Sequence, residues 1–97
     1  MIKKTNDQKL SDVLKSFAAQ DKLKEKLLST KIMEIWIALY PGLIAEHTVE
    51  VRVKQSQVII KVNSASLRQE LLMNKKTILD QLNQKLGDNL IQVLEFR

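Results

Sequence analysis

The chain has 97 residues, 44% of them apolar, which is enough for one small packed domain and little more. It has no cysteine, which excludes disulfides and thiolate-bound metal, and no apolar run approaches the ~20 residues that span a bilayer. The net charge of +5 is concentrated at one end: residues 1–31 carry eight lysines against four acids, and residues 32–97 carry eight basic side chains against seven acids. A basic end favours an anionic partner, nucleic acid before membrane; the plain alternative is a solvated, Lys-rich surface. No apolar segment follows the charged Met1–Asp7 stretch, so no signal peptide is expected. The expectation is a single soluble, cytoplasmic domain over 1–97, with residues 1–7 flexible.

Leu10, Val13, Leu14 and Phe17 recur at i, i+3, i+4 and i+7, the spacing of one helical face, and Asn6 or Asp7 can cap its start. A second, longer helix follows, carried by Leu23, Leu27, Leu28, Ile32, Ile35, Trp36 and Leu39. Pro41-Gly42 ends it. From His47 the period changes to two. His47, Val49, Val51 and Val53 share one face, and Thr48, Glu50, Arg52 and Lys54 the other. Gln55-Ser56-Gln57 breaks the run, and Val58, Ile60 and Val62 resume it, so a hairpin is expected although the favoured Asn-Gly turn is absent.

Ser64 and Ser66 compete to cap the next helix, Ser66 with Gln69 as a capping box. Its stripe is Leu67, Leu71, Ile78, Leu82 and Leu86. Asn74-Lys75-Lys76 interrupts it, leaving one long helix or two with a joint. Gly87 suits the helix end. The last strand, from Leu90, sets Leu90, Leu94 and Phe96 on one face and Ile91 and Val93 on the other. The order α-α-β-β-α-β predicts an α+β fold, a small three-stranded sheet with helices packed on one face. The favoured strand order is 2-1-3, with 1-2-3 the alternative.

Nothing in the chain assembles catalytic chemistry. There is one histidine, no Gly-rich phosphate loop, no Gly-x-Ser-x-Gly elbow and no His/carboxylate set with metal spacing. No enzyme, cofactor, metal or small-molecule substrate is expected. His47 lies in phase with valines and reads as structural. Trp36 lies in the apolar helical stripe and reads as core. Tyr40, outside that stripe, is the better candidate for stacking on a base. Arg52, Lys54 and Lys61 fall opposite the valines and would face solvent together. With Lys22, Lys24, Lys26 and Lys31 they are candidate phosphate contacts, which require only positive charge and reach. With four aromatics in the chain, such binding would be electrostatic and indifferent to sequence.

The spacing Trp36-x-x-Leu39-x-x-Gly42-x-x-Ala45-x-His47-Thr48 precedes a Val-rich hairpin. It is followed by Val62-Asn-Ser-Ala-Ser-Leu-Arg-Gln-Glu-Leu71, Ile78-Leu-Asp-Gln-Leu-Asn-Gln-Lys-Leu-Gly87 and a terminal Ile91-Gln-Val-Leu-Glu-Phe-Arg97. Over about residues 8–97 this order resembles the DciA family. The resemblance implies a K-homology-like fold and a non-enzymatic role in bacterial replication, assisting the DnaB-type helicase and binding DNA. The implied partners are single-stranded or forked DNA and the replicative helicase, with a homo-oligomer left open. The matching positions are Trp36, Gly42, His47, Thr48, Ser64, Arg68, Glu70, Leu71, Leu82, Asn83 and Gly87. Arg68 joins the candidate phosphate contacts; the others read as structural. Leu67 stands where the family often has an aromatic residue, and the Gly-x-x-Gly loop of K-homology RNA binders is absent. A protein-interaction domain without nucleic acid, and an RNA-associated protein, are the competing expectations.

Overall fold

The computed structural model describes residues 21–97. The helix expected over Leu10–Phe17 and the flexible 1–7 lie outside the described residues. Helix α1 spans Asp21–Leu39, followed by the short α2 at Leu43–His47, strands β1 (Thr48–Lys54) and β2 (Gln57–Val62), helices α3 (Ala65–Met73) and α4 (Lys75–Leu86), and strand β3 (Val93–Phe96). This is the α+β fold that the periodicities predict, with the last helix divided in two. The division falls at Asn74, whose backbone leaves the helical region and whose side-chain amide donates to the Glu70 carbonyl at 2.9 Å.

Helices cover one face of the sheet. Leu28, Ile32 and Trp36 of α1 pack with Leu67 and Leu71 of α3, with Ile78, Leu82 and Leu86 of α4, and with the inward residues Val51, Val53, Val58, Ile60, Val62, Leu94 and Phe96. Trp36 is fully buried; its ring lies 4.9 Å from Tyr40 and 6.0 Å from Phe96, centroid to centroid. Truncating a side chain as enclosed as Leu82 to alanine costs about 2–5 kcal/mol, through lost transfer energy and the cavity left behind.

The sheet order is β1-β2-β3, with β1 and β2 antiparallel and β2 and β3 parallel. This corrects the favoured 2-1-3 order, and α1 supplies the reason. It runs along the outer edge of β1, where Ser29 Oγ accepts from the Val53 N–H at 3.1 Å and Glu25 accepts from the Gln55 N–H at 2.9 Å. Those donors are spent on α1, so β3 pairs with the free edge of β2.

The strand phase also differs at its start. His47 closes α2 rather than opening β1, and the ladder shifts register between Thr48 and Glu50. Val49 is the extra residue of a bulge and is about half exposed. Thr48, opposite Val62, takes the inward position that simple alternation assigns to Val49. His47 instead faces Asn63, its Nδ1 2.6 Å from Asn63 Oδ1.

The turn between β1 and β2 holds Gln55 at φ 58°, a left-handed conformation normally given to Asn or Gly. Ser64, not Ser66, caps α3, its Oγ accepting from the Leu67 N–H at 3.3 Å. The alternation expected from Leu90 starts only at Val93. Ile91 is buried because Asn83 holds its backbone at both ends: Asn83 Nδ2 donates to the Ile91 carbonyl at 2.8 Å, and the Ile91 N–H donates to Asn83 Oδ1 at 2.9 Å.

Candidate nucleic-acid interface

The face of the sheet that the described helices leave uncovered is a grid set by strand register. Arg52 lies opposite Ile59, and Ile59 opposite Glu95; Glu50 lies opposite Lys61. Arg97 continues β3: its N–H donates to the Ile60 carbonyl and its own carbonyl accepts from the Val62 N–H, which sets it beside Lys61. With strands about 4.8 Å apart and same-face residues about 7 Å apart along each strand, the cations form a diagonal band. Lys54 and Arg52 stand on β1, Lys61 on the central β2 and Arg97 at the end of β3, with half-buried Ile59 of β2 between the two pairs.

The acids on this face are paired in place. Glu50 Oε2 lies 3.4 Å from Arg52 Nε. Glu95 is held more firmly: Arg97 Nε donates to its Oε2 at 2.6 Å and Gln57 Nε2 donates to its Oε1 at 2.9 Å. The hydrogen bond from Arg97 lowers the Glu95 carboxyl below its ordinary value, and Lys75 at the start of α4 adds to the effect. The same contact raises the Arg97 guanidinium. These pairs are solvent-exposed and contribute little to stability; they matter for which charges are free to meet a ligand.

Of the sequence-derived candidates, Arg52, Lys54 and Lys61 stand on this face and are exposed. The α1 lysines divide. Lys22 and Lys26, each three residues before Glu25 or Ser29, share the helix flank that meets β1. Lys24 and Lys31 lie on the other flank, beyond Leu28, and Lys31 Nζ is 3.9 Å from Glu34. Arg68 belongs to α3, in the helix layer behind the sheet. Tyr40 is no open platform, because its ring packs on Trp36 and its hydroxyl donates to Gln81 Oε1. Burial raises its phenol above the ordinary value. Arg97 and Gln57 were missed by sequence reasoning, although the phase of Val93, Glu95 and Arg97 against Leu94 and Phe96 already places Arg97 outward.

The family model described as Dna[CI] antecedent, DciA, matches residues 9–96. The chain belongs to the DciA family. DciA proteins are helicase loaders of DNA replication, associated with the replicative helicase DnaB. Comparison with curated proteins gave no match.

The DciA motif positions hold the framework together. Trp36 Nε1 donates to Thr48 Oγ at 2.9 Å, and Thr48 in turn donates to the Ile44 carbonyl at 2.7 Å. Gly42 precedes α2 at φ 83° and Gly87 ends α4 at φ 85°, both in backbone conformations that side chains rarely adopt. Leu71 and Leu82 are core, Ser64 caps α3, and Glu70 lines a shallow groove with Tyr40, Leu71 and Asn74. Among the described residues there is no cluster of metal-ligating side chains and no helix long and apolar enough to cross a membrane.

Proposed function

We propose that this chain is a non-enzymatic, cytoplasmic adaptor of bacterial DNA replication that assists the DnaB-type helicase and holds DNA on the open face of its sheet. The observation that carries the DNA part is the diagonal of Arg52, Lys54, Lys61 and Arg97 on a rigid three-stranded platform. Lys22 and Lys26 extend it along the β1 edge. Among the described residues the face carries no aromatic side chain, so its contacts are to phosphates rather than to stacked bases. Binding is therefore weak, salt-sensitive and independent of sequence, and suits single-stranded or forked DNA. The K-homology-like reading of the fold is part of this proposal. The α3–α4 joint that would carry a Gly-x-x-Gly clamp reads Met73-Asn74-Lys75-Lys76 instead, which argues against RNA clamping of that type.

Fluorescence anisotropy of labelled single-stranded, forked and duplex DNA over a salt series tests the reading. Affinity should fall steeply with salt. Charge reversal of Arg52, Lys54 and Lys61 should weaken binding and flatten the slope by about one for each phosphate no longer held. Unchanged affinity would remove the sheet face. A protein-interaction module without nucleic acid is favoured by one observation, the apolar side chains that α1 and α2 leave exposed at Leu23, Ile37 and Leu43. A flat DNA titration together with helicase capture would select it.

A further inference from the structure

Glu95 is one of two acids on a face that carries four cations, and it is the more firmly held. Its carboxylate is fixed at both oxygens, by Gln57 Nε2 on one and Arg97 Nε on the other, with Lys75 near. A side-chain amide and a guanidinium converging on two oxygens of one anion is also how a protein seats a phosphate. We propose that Gln57 and Arg97 form an anion seat which Glu95 occupies in the free protein, and that a DNA phosphate must displace the Glu95 carboxylate to bind there. This deepens the DNA-binding reading above and rests on it.

The geometry determines the consequences. Glu95 and Arg97 are i and i+2 on one strand, so their side chains stand on the same face about 7 Å apart at the backbone. The pairing needs no rearrangement to form. An internal competitor on a short tether acts at an effective concentration on the order of millimolar or above. A lone phosphate at micromolar concentration does not match that, whereas a strand already anchored at Arg52 and Lys61 presents its next phosphate at comparable effective concentration. Glu95 thereby limits affinity and favours polyanions over isolated anions. Glu50 beside Arg52 is a looser version of the same arrangement, at 3.4 Å.

A double-mutant cycle tests the seat. Glu95→Gln keeps the shape and removes the charge. It should tighten binding of a labelled single strand by about three- to tenfold at low salt, where removal of one competing charge is least screened. In wild type, Arg97→Gln should have a small effect, because Arg97 is already engaged. In the Glu95→Gln background the same substitution should cost severalfold more, since the freed guanidinium now holds a phosphate. Glu70→Gln removes equal charge from α3, where the carboxylate lines the groove beside Tyr40 and touches neither Gln57 nor Arg97, and should gain clearly less than Glu95→Gln.

Additive effects of Glu95→Gln and Arg97→Gln would overturn the seat, as would an equal gain from Glu70→Gln, which would mean net charge alone is at work. Loss of all DNA binding in wild type and Glu95→Gln alike would overturn the DNA-binding reading and the seat with it. Binding with an additive cycle would overturn the seat alone.

Discussion

The indole N–H of Trp36 is satisfied by Thr48, a residue that reaches the core face only because Val49 bulges out of β1. A fully buried indole needs an acceptor, and the threonine hydroxyl provides one while passing its own proton to the Ile44 carbonyl. The bulge therefore determines which residue meets the tryptophan. Thr48→Val, which keeps the shape and removes the acceptor, should cost about 1–3 kcal/mol of stability. Thr48→Ser should recover most of that. Urea unfolding followed by emission of the single Trp36 reads both.

Asn83 is the one buried polar side chain among the described residues. It replaces strand pairing for Ile91, holding both backbone groups of a segment that no strand reaches. Asn83→Ala strands a buried donor and a buried acceptor together and should destabilise by about 2–4 kcal/mol, summed from two unmade hydrogen bonds. Asn83→Asp retains the acceptor only and adds charge to the interior, so it should be no milder. Chemical denaturation of both variants provides the comparison; a cost below about 1 kcal/mol for alanine would mean Ile91 finds other partners.

Gln55 holds φ 58° without the freedom of glycine. Gln55→Gly should stabilise by roughly 0.5–1 kcal/mol, the relief of the left-handed penalty less the added freedom of the unfolded chain. Gln55→Val should destabilise, because a branched Cβ worsens the same strain. Thermal melts of the pair settle the sign.

Tyr40 gives a pH signature. Burial favours its neutral form, so its folded value lies above the ordinary 10.0. The associated stability is fully present below the unfolded value near 10 and is lost as pH rises through the folded one. It is the only tyrosine, so absorbance titration of the phenolate reports it alone. The midpoint should lie above 10.0 in the folded protein and return to it in denaturant.

The lysines and arginines should not act equally on DNA. Arg68→Gln and the pair Lys24→Glu/Lys31→Glu lie away from the sheet face and should change affinity by less than about threefold. Lys22→Glu/Lys26→Glu, on the flank that meets β1, should weaken binding more and reduce the salt slope, because fewer phosphates are then neutralised. Equal weakening by the two lysine pairs would mean the whole surface field acts, not a face.

Periodicity alone was enough to read most elements. The Leu28, Ile32, Trp36 stripe, the Val58, Ile60, Val62 alternation and the Gly87 stop all lie in the chain as local spacing, and each reappears in the fold. What was not legible depends on contacts distant in sequence. Val49 looks like a core residue until the register shift against Val62 turns it outward. The strand order followed from Ser29 and Glu25 reaching a strand more than twenty residues later, which no local window records. The same limit applies to the candidate face. Arg52, Lys54 and Lys61 were visible as alternation, but Arg97 joins them only through pairing with β2, and Arg68 and Tyr40 were separated from them by the helix layer and by Trp36.

The attachment of α1 along β1 also bears on how the molecule can fail. Lifting that helix would remove Trp36 from the core and, in the same motion, release the N–H groups of Val53 and Gln55 on an open strand edge. An unpaired edge beside freshly bared apolar surface is what a neighbouring chain's strand can complete. For this fold, opening is the step that exposes the chain to aggregation, and the hydroxyl of Ser29 and the carboxylate of Glu25 hold the edge against it.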